Sequence, residues 1–89
     1  MLKTTDLLDK LKAAYNLPSD YAIAKKLGVK PSCVSRYRNH GGTFDDSIAL
    51  EVAELLELNP LSVVASMHAE RAERSHDNNA FSFWREYAA

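Results

Sequence analysis

With 89 residues, 46% of them apolar, the chain has room for one small domain with a limited core, and a second full domain does not fit. The net charge of −1 argues against a generic polyanion binder, but it hides a division. Residues 1–40 carry eight Lys/Arg against three Asp/Glu, a net +5, while residues 41–89 carry three against nine, a net −6. A single cysteine, Cys33, excludes an intramolecular disulfide, and no signal peptide, membrane-length apolar run or lipidation motif is present, so a cytoplasmic protein is expected.

In chain order, Thr5 is placed to cap a first helix reaching about Tyr15, with Leu7, Leu8, Leu11 and Tyr15 on its apolar face. Asn16 to Pro18 break it, and Ser19 is the expected cap of a second helix that stops at Gly28. Pro31 suits the first turn of a third helix, which runs to about Asn39 and ends before Gly41 and Gly42. Thr43 and Asp46 have capping-box spacing for a fourth helix whose Ile48, Val52, Leu55 and Leu56 recur at helical intervals. Asn59 and Pro60 start a fifth helix that should carry Val63, Val64 and Met67 inward, with its later part, Ala69 to Ser75, solvated. His76 to Asn79 read as a loop. Ala80 to Tyr87 then holds Phe81, Phe83, Trp84 and Tyr87, half of the chain's eight aromatics. Such a cluster needs something to bury it, either the monomer's own helices or a second subunit.

The densest information lies in Asp20 to Asn39, DYAIAKKLGVKPSCVSRYRN. Two short helices packed closely need a small residue at their contact, which Ala24 supplies, and an abrupt left-handed stop, which Gly28 adopts without a β-carbon clash. Leu27 and Val29 bracket that turn. On the third helix Val34 and Tyr37 fall three apart and face inward, while Ser32, Ser35, Arg36 and Asn39 recur at three and four and face outward.

This segment resembles the helix-turn-helix of the Cro and phage-repressor family. With Asp20 as the first motif position, Ile23, Ala24, Leu27, Gly28, Val29, Val34 and Tyr37 meet the family's small, glycine and apolar positions. The motif covers about twenty residues, and the surrounding helix pattern extends the likeness to roughly residues 4–60. The resemblance implies an all-α fold, a compact five- or six-helix bundle of the lambda-repressor-like type. It divides the chain into a DNA-binding domain at 1–60 and a C-terminal helical extension at 61–89 that serves dimerisation or closes the core. Two positions depart from the family. Asp20 stands where Gln is frequent, so that residue's contact role is not carried over, and Lys30 stands where a Ser or Thr cap is favoured.

On that resemblance, Arg36 is the first candidate for base readout, because an outward guanidinium can pair bidentately with guanine; the plainer alternative is a phosphate contact. Ser32 and Ser35 are the other base candidates, although either could bond a phosphate or its own helix. Lys30, Arg38, Asn39 and His40 are expected on the sugar-phosphate backbone, with Lys25 a further candidate whose plain reading, shared by Lys26, is a solvated charge. Tyr37 reads as core, and Cys33 as a packing residue. His40, His68 and His76 lack metal-ligand spacing, and no residue pattern supports an enzyme, a cofactor or a small-molecule ligand.

A recognition helix of nine residues is about 14 Å long and reads few base pairs. The family meets this limit with dimers whose two helices enter successive major grooves about 34 Å apart. The expected protein is therefore a homodimeric, sequence-specific transcriptional repressor on a palindromic double-stranded DNA operator, small enough for a phage or prophage product. The alternative is a protein-binding regulator of antitoxin or anti-repressor type, in which the acidic, aromatic C-terminal half grips another protein.

Overall fold

A computed structural model describes residues 1–88 as six helices: α1 (Thr4–Ala14), α2 (Asp20–Leu27), α3 (Pro31–Asn39), α4 (Asp46–Leu55), α5 (Pro60–Arg74) and α6 (Asn78–Arg85). The described residues contain no strand, so the chain is all-α. None of the six helices is long and apolar enough to cross a membrane.

One apolar cluster runs through the molecule. Leu7, Leu8 and Leu11 of α1 meet Ile23, Ala24 and Leu27 of α2, Val34 and Tyr37 of α3, Ala49, Val52 and Ala53 of α4, and Val63 and Met67 of α5. Phe44, in the connection between α3 and α4, is fully buried at its centre. Residues on both sides of position 60 therefore share a single core. Helix α6 lies outside it, packed along α5, and none of its eight residues is buried.

Two helix starts match their sequence signals. Ser19 Oγ accepts from the Ala22 N–H at 3.2 Å, and Asn59 Oδ1 accepts from the Ser62 N–H at 3.1 Å. Two do not. Helix α1 begins at Thr4, and the residue before it, Lys3, makes no side-chain cap. Its first turn is satisfied from across the fold by Glu70 of α5, whose Oε1 accepts from Thr4 N and Thr4 Oγ1, both at 2.9 Å. Helix α4 is capped by Asp45, whose Oδ1 accepts from Ile48 N at 2.9 Å, instead of by Thr43. Thr43 Oγ1 is claimed by Arg71 Nε at 2.6 Å, and the same guanidinium donates to Phe44 O at 2.8 Å.

The end of α5 also departs from expectation. Ala69, Glu70 and Ala72 are buried, because the small alanines admit close packing and Glu70 has its partners inside. Tyr15, expected on the apolar face of α1, lies at the rim, where its hydroxyl donates to Leu55 O at 2.7 Å. The loop expected at 76–79 is shorter. Asp77 caps α6 by accepting from Ala80 N at 3.1 Å.

Candidate nucleic-acid interface

Helix α2 stops at Gly28, which adopts φ +68° and donates its N–H to carbonyls of the last turn, while Val29 N bonds Ala24 O at 3.0 Å. A β-carbon built at Gly28 would meet nothing within 4 Å, so the demand for glycine is torsional and not steric. Lys30 is extended and makes no side-chain cap, and Pro31 opens α3 at a position where a backbone N–H is dispensable. Ala24 is fully buried, as a close approach of α2 and α3 requires.

Helix α3 has two unlike sides. Val34 and Tyr37 are buried, and the Tyr37 ring meets Phe44 edge-on with centroids 4.9 Å apart. Burial, reinforced by the charges of Cys33 and Asp45 and opposed by Arg36, holds the Tyr37 phenol above its ordinary value of 10.0, so it stays protonated. Ser32, Ser35, Arg36 and Asn39 are exposed, and Lys30 and His40 are exposed at the two ends of the helix. Their mutual contacts are weak: Asn39 Nδ2 lies 3.4 Å from Ser35 Oγ, and Arg36 Nη2 lies 3.7 Å from Cys33 Sγ. A better acceptor can displace either.

Arg38 behaves differently from its neighbours. Although expected to face a DNA backbone, it is turned into the protein, with its side chain 20% exposed, and it pairs with Asp20 of α2 and Asp9 of α1. Partial burial acts to lower its pKa, but the hydrogen bonds and charges of Asp20 and Asp9 outweigh that and hold it above the usual arginine value. Asp20, an unwelcome charge near DNA on sequence grounds, is thereby matched, with Lys12 Nζ also 3.8 Å away.

Lys25 is exposed on α2, with its ammonium 5.8 Å from the centre of the Tyr21 ring, and Lys26 lies 4.2 Å over Tyr15. Tyr21, 61% exposed beside Lys25, was not a sequence candidate. Its spacing of four from Lys25 on the basic half is the signal that marks it. The aromatics expected to be buried by α6 packing or by a second subunit are only partly covered. Trp84 stacks on His68 of α5 with centroids 4.4 Å apart, and Phe81 is half-buried, but Phe83 is 55% and Tyr87 43% exposed.

No family model matches the chain, and no solved structure matches it significantly. A protein of Pseudoalteromonas phage PM2 named "Uncharacterized protein Gp-c" is 31% identical over 85 residues, which span 94% of this chain and 92% of that relative.

Proposed function

The chain belongs to one family with the phage PM2 protein Gp-c, and we propose that it is a transcriptional repressor that binds double-stranded DNA through a Cro-type helix-turn-helix formed by α2 and α3. The observation that carries this reading is the two-sidedness of α3. Val34 and Tyr37 anchor the helix in the core, and Ser32, Ser35 and Arg36 project together into solvent from the basic half of the chain. A rigid helix with hydrogen-bonding side chains on its outer row is what the major groove admits. Arg36 reads a base edge, Ser32 and Ser35 complete the readout, and Lys30, Asn39, His40 and Lys25 hold phosphates. No bond is made or broken, so neither catalytic group nor cofactor is needed; repression follows from occupying DNA that polymerase must use. A phage relative fits a phage or prophage regulator.

A nine-residue recognition helix requires a second copy for operator specificity. Helix α6, which buries none of its residues in the monomer, supplies the face for it together with the segment that follows, through the exposed Phe83 and Tyr87. The same exposure favours a second reading, in which α6 grips another protein.

Selection from a random duplex pool tests the reading, and a palindromic winner is the expected result. Failure to enrich any duplex at low salt would overturn it. Phe83→Ser with Tyr87→Ser separates the two uses of α6: conversion to a monomer with weakened operator binding supports the dimer, whereas an unchanged oligomeric state and unchanged DNA affinity support the protein partner.

A further inference from the structure

Building on the DNA-binding reading above, we propose that Arg38 is the positioning residue of the interface, fixing the roll of α3 against α1 and α2, and does not itself touch DNA. All three of its guanidinium nitrogens are engaged by protein acceptors, with Asp20 and Asp9 themselves at the surface. Nε donates to Asp20 Oδ2 at 3.2 Å and Nη2 to Asp20 Oδ1 at 3.2 Å, a two-pronged pairing at the start of α2. Nη1 reaches Asp9 Oδ1 at 2.8 Å and the Thr5 carbonyl at 3.4 Å, both on α1. One planar group thus ties the last turn of α3 to two other helices.

The apolar contacts of α3 hold it to the core, and Arg38 adds a directional constraint at its last turn. Val34 and Tyr37 press one side of the helix into the core, and dispersion contacts of that kind are non-directional. A forked guanidinium–carboxylate pair has a preferred plane and resists rotation. The lever matters because base readout is geometrically strict. Rolling a helix by about 10° swings atoms about 5–6 Å from its axis by about 1 Å, enough to spoil a bidentate bond from Arg36. Lys12, near the same Asp20, adds charge without a fixed plane and cannot replace Arg38.

Asp20 and Asp9 acquire opposite expected effects under the two possible roles of Arg38. Were Arg38 a phosphate contact, neutralising Asp20 would remove a repulsive charge and tighten DNA binding. As a positioning pair, neutralising Asp20 should weaken specific binding, though less than losing Arg38 does, because Arg38 keeps Asp9 and the Thr5 carbonyl. The experiment compares wild type, Asp20→Asn, Arg38→Gln, Arg38→Lys and the double variant Asp20→Asn/Arg38→Gln, under conditions where circular dichroism shows each fully folded. The probes are the duplex won by random-pool selection and a scrambled duplex of equal length. The expected result is that Arg38→Gln and the double variant lose the ratio of specific to scrambled affinity by a similar factor, between about fivefold and a hundredfold, and that Asp20→Asn loses part of it. Arg38→Lys should not restore the ratio, and the salt slope should be unchanged. A slope reduced by about one unit in Arg38→Gln, or tighter binding by Asp20→Asn, would assign Arg38 to phosphate and overturn the proposal. Hydrogen exchange on the DNA-free protein separates this inference from the DNA reading itself. Amides of residues 35–39 should lose protection relative to α5 in Asp20→Asn and Arg38→Gln alike, and not in Lys30→Gln. Unchanged protection in the first two would overturn the positioning role even if DNA binds.

Discussion

Glu70 caps Thr4 from sixty-six residues away: one carboxylate oxygen takes both the backbone N–H and the hydroxyl of that residue, and the other oxygen takes Arg74 Nη2 at 2.9 Å. The first turn of α1 is therefore completed only when α5 is in place. Glu70→Ala should lower stability by about 1–3 kcal/mol, since it leaves the buried Thr4 N–H without its acceptor and the Thr4 hydroxyl with only the weak acceptor Met67 Sδ. Urea unfolding measures this, and a loss below about 0.5 kcal/mol would show that water reaches Thr4.

Gly28 and Gly41 share one reason for being glycines, and alanine substitution should reveal it. Both have positive φ, +68° and +71°, which costs an L-residue about 1–2 kcal/mol. At Gly28 the added methyl points into open space, so the torsional cost is the whole cost. At Gly41 it would meet the Arg74 guanidinium, the far end of a flexible, half-exposed side chain that can move aside. The two variants should therefore lose similar stability, which thermal unfolding of both checks; a clearly larger loss for Gly41→Ala would show that Arg74 cannot give way.

Tyr37 makes stability fall at high pH. Its pKa is raised in the folded chain by burial, so the fold binds the phenolic proton more tightly than the unfolded chain does. The contribution is fully present below the unfolded value near 10 and is lost as pH rises through the higher folded value. Tyr37→Phe should flatten the decline of stability above pH 10, at some cost in stability at neutral pH if the hydroxyl contributes. Identical alkaline profiles for the two proteins would contradict the burial of an ionisable phenol there.

Arg36→Ala should weaken binding to the selected duplex by about 1–3 kcal/mol and relax discrimination at one base position. Gel-shift titration against duplexes varied at each position reads both effects. An equal loss on scrambled DNA would place Arg36 on phosphate.

Local signals in the sequence were good guides where the structure is locally decided. Ser19 and Asn59 cap as their positions suggest, and Leu7, Val34, Val52 and Val63 are buried where helical periodicity places them. The departures arise from partners distant in sequence. Thr43 and Asp45 are both plausible caps for α4, and what separates them is Arg71, which takes the Thr43 hydroxyl from α5. Nothing around Glu70 announces Thr4, and a charged segment reads as solvated until the position of α1 is known. Arg38 sits among basic residues that face outward, and only the approach of Asp9 and Asp20 turns it inward.

The separation of duties within α3 has an evolutionary corollary. Positions 32, 35, 36 and 39 project away from the core, so exchanging them should alter stability by no more than about 0.5 kcal/mol apiece. Under the DNA-binding reading proposed above, a lineage carrying this scaffold could rewrite its target vocabulary through a handful of codons, and an engineer could graft a new outer row onto it without redesigning the bundle beneath.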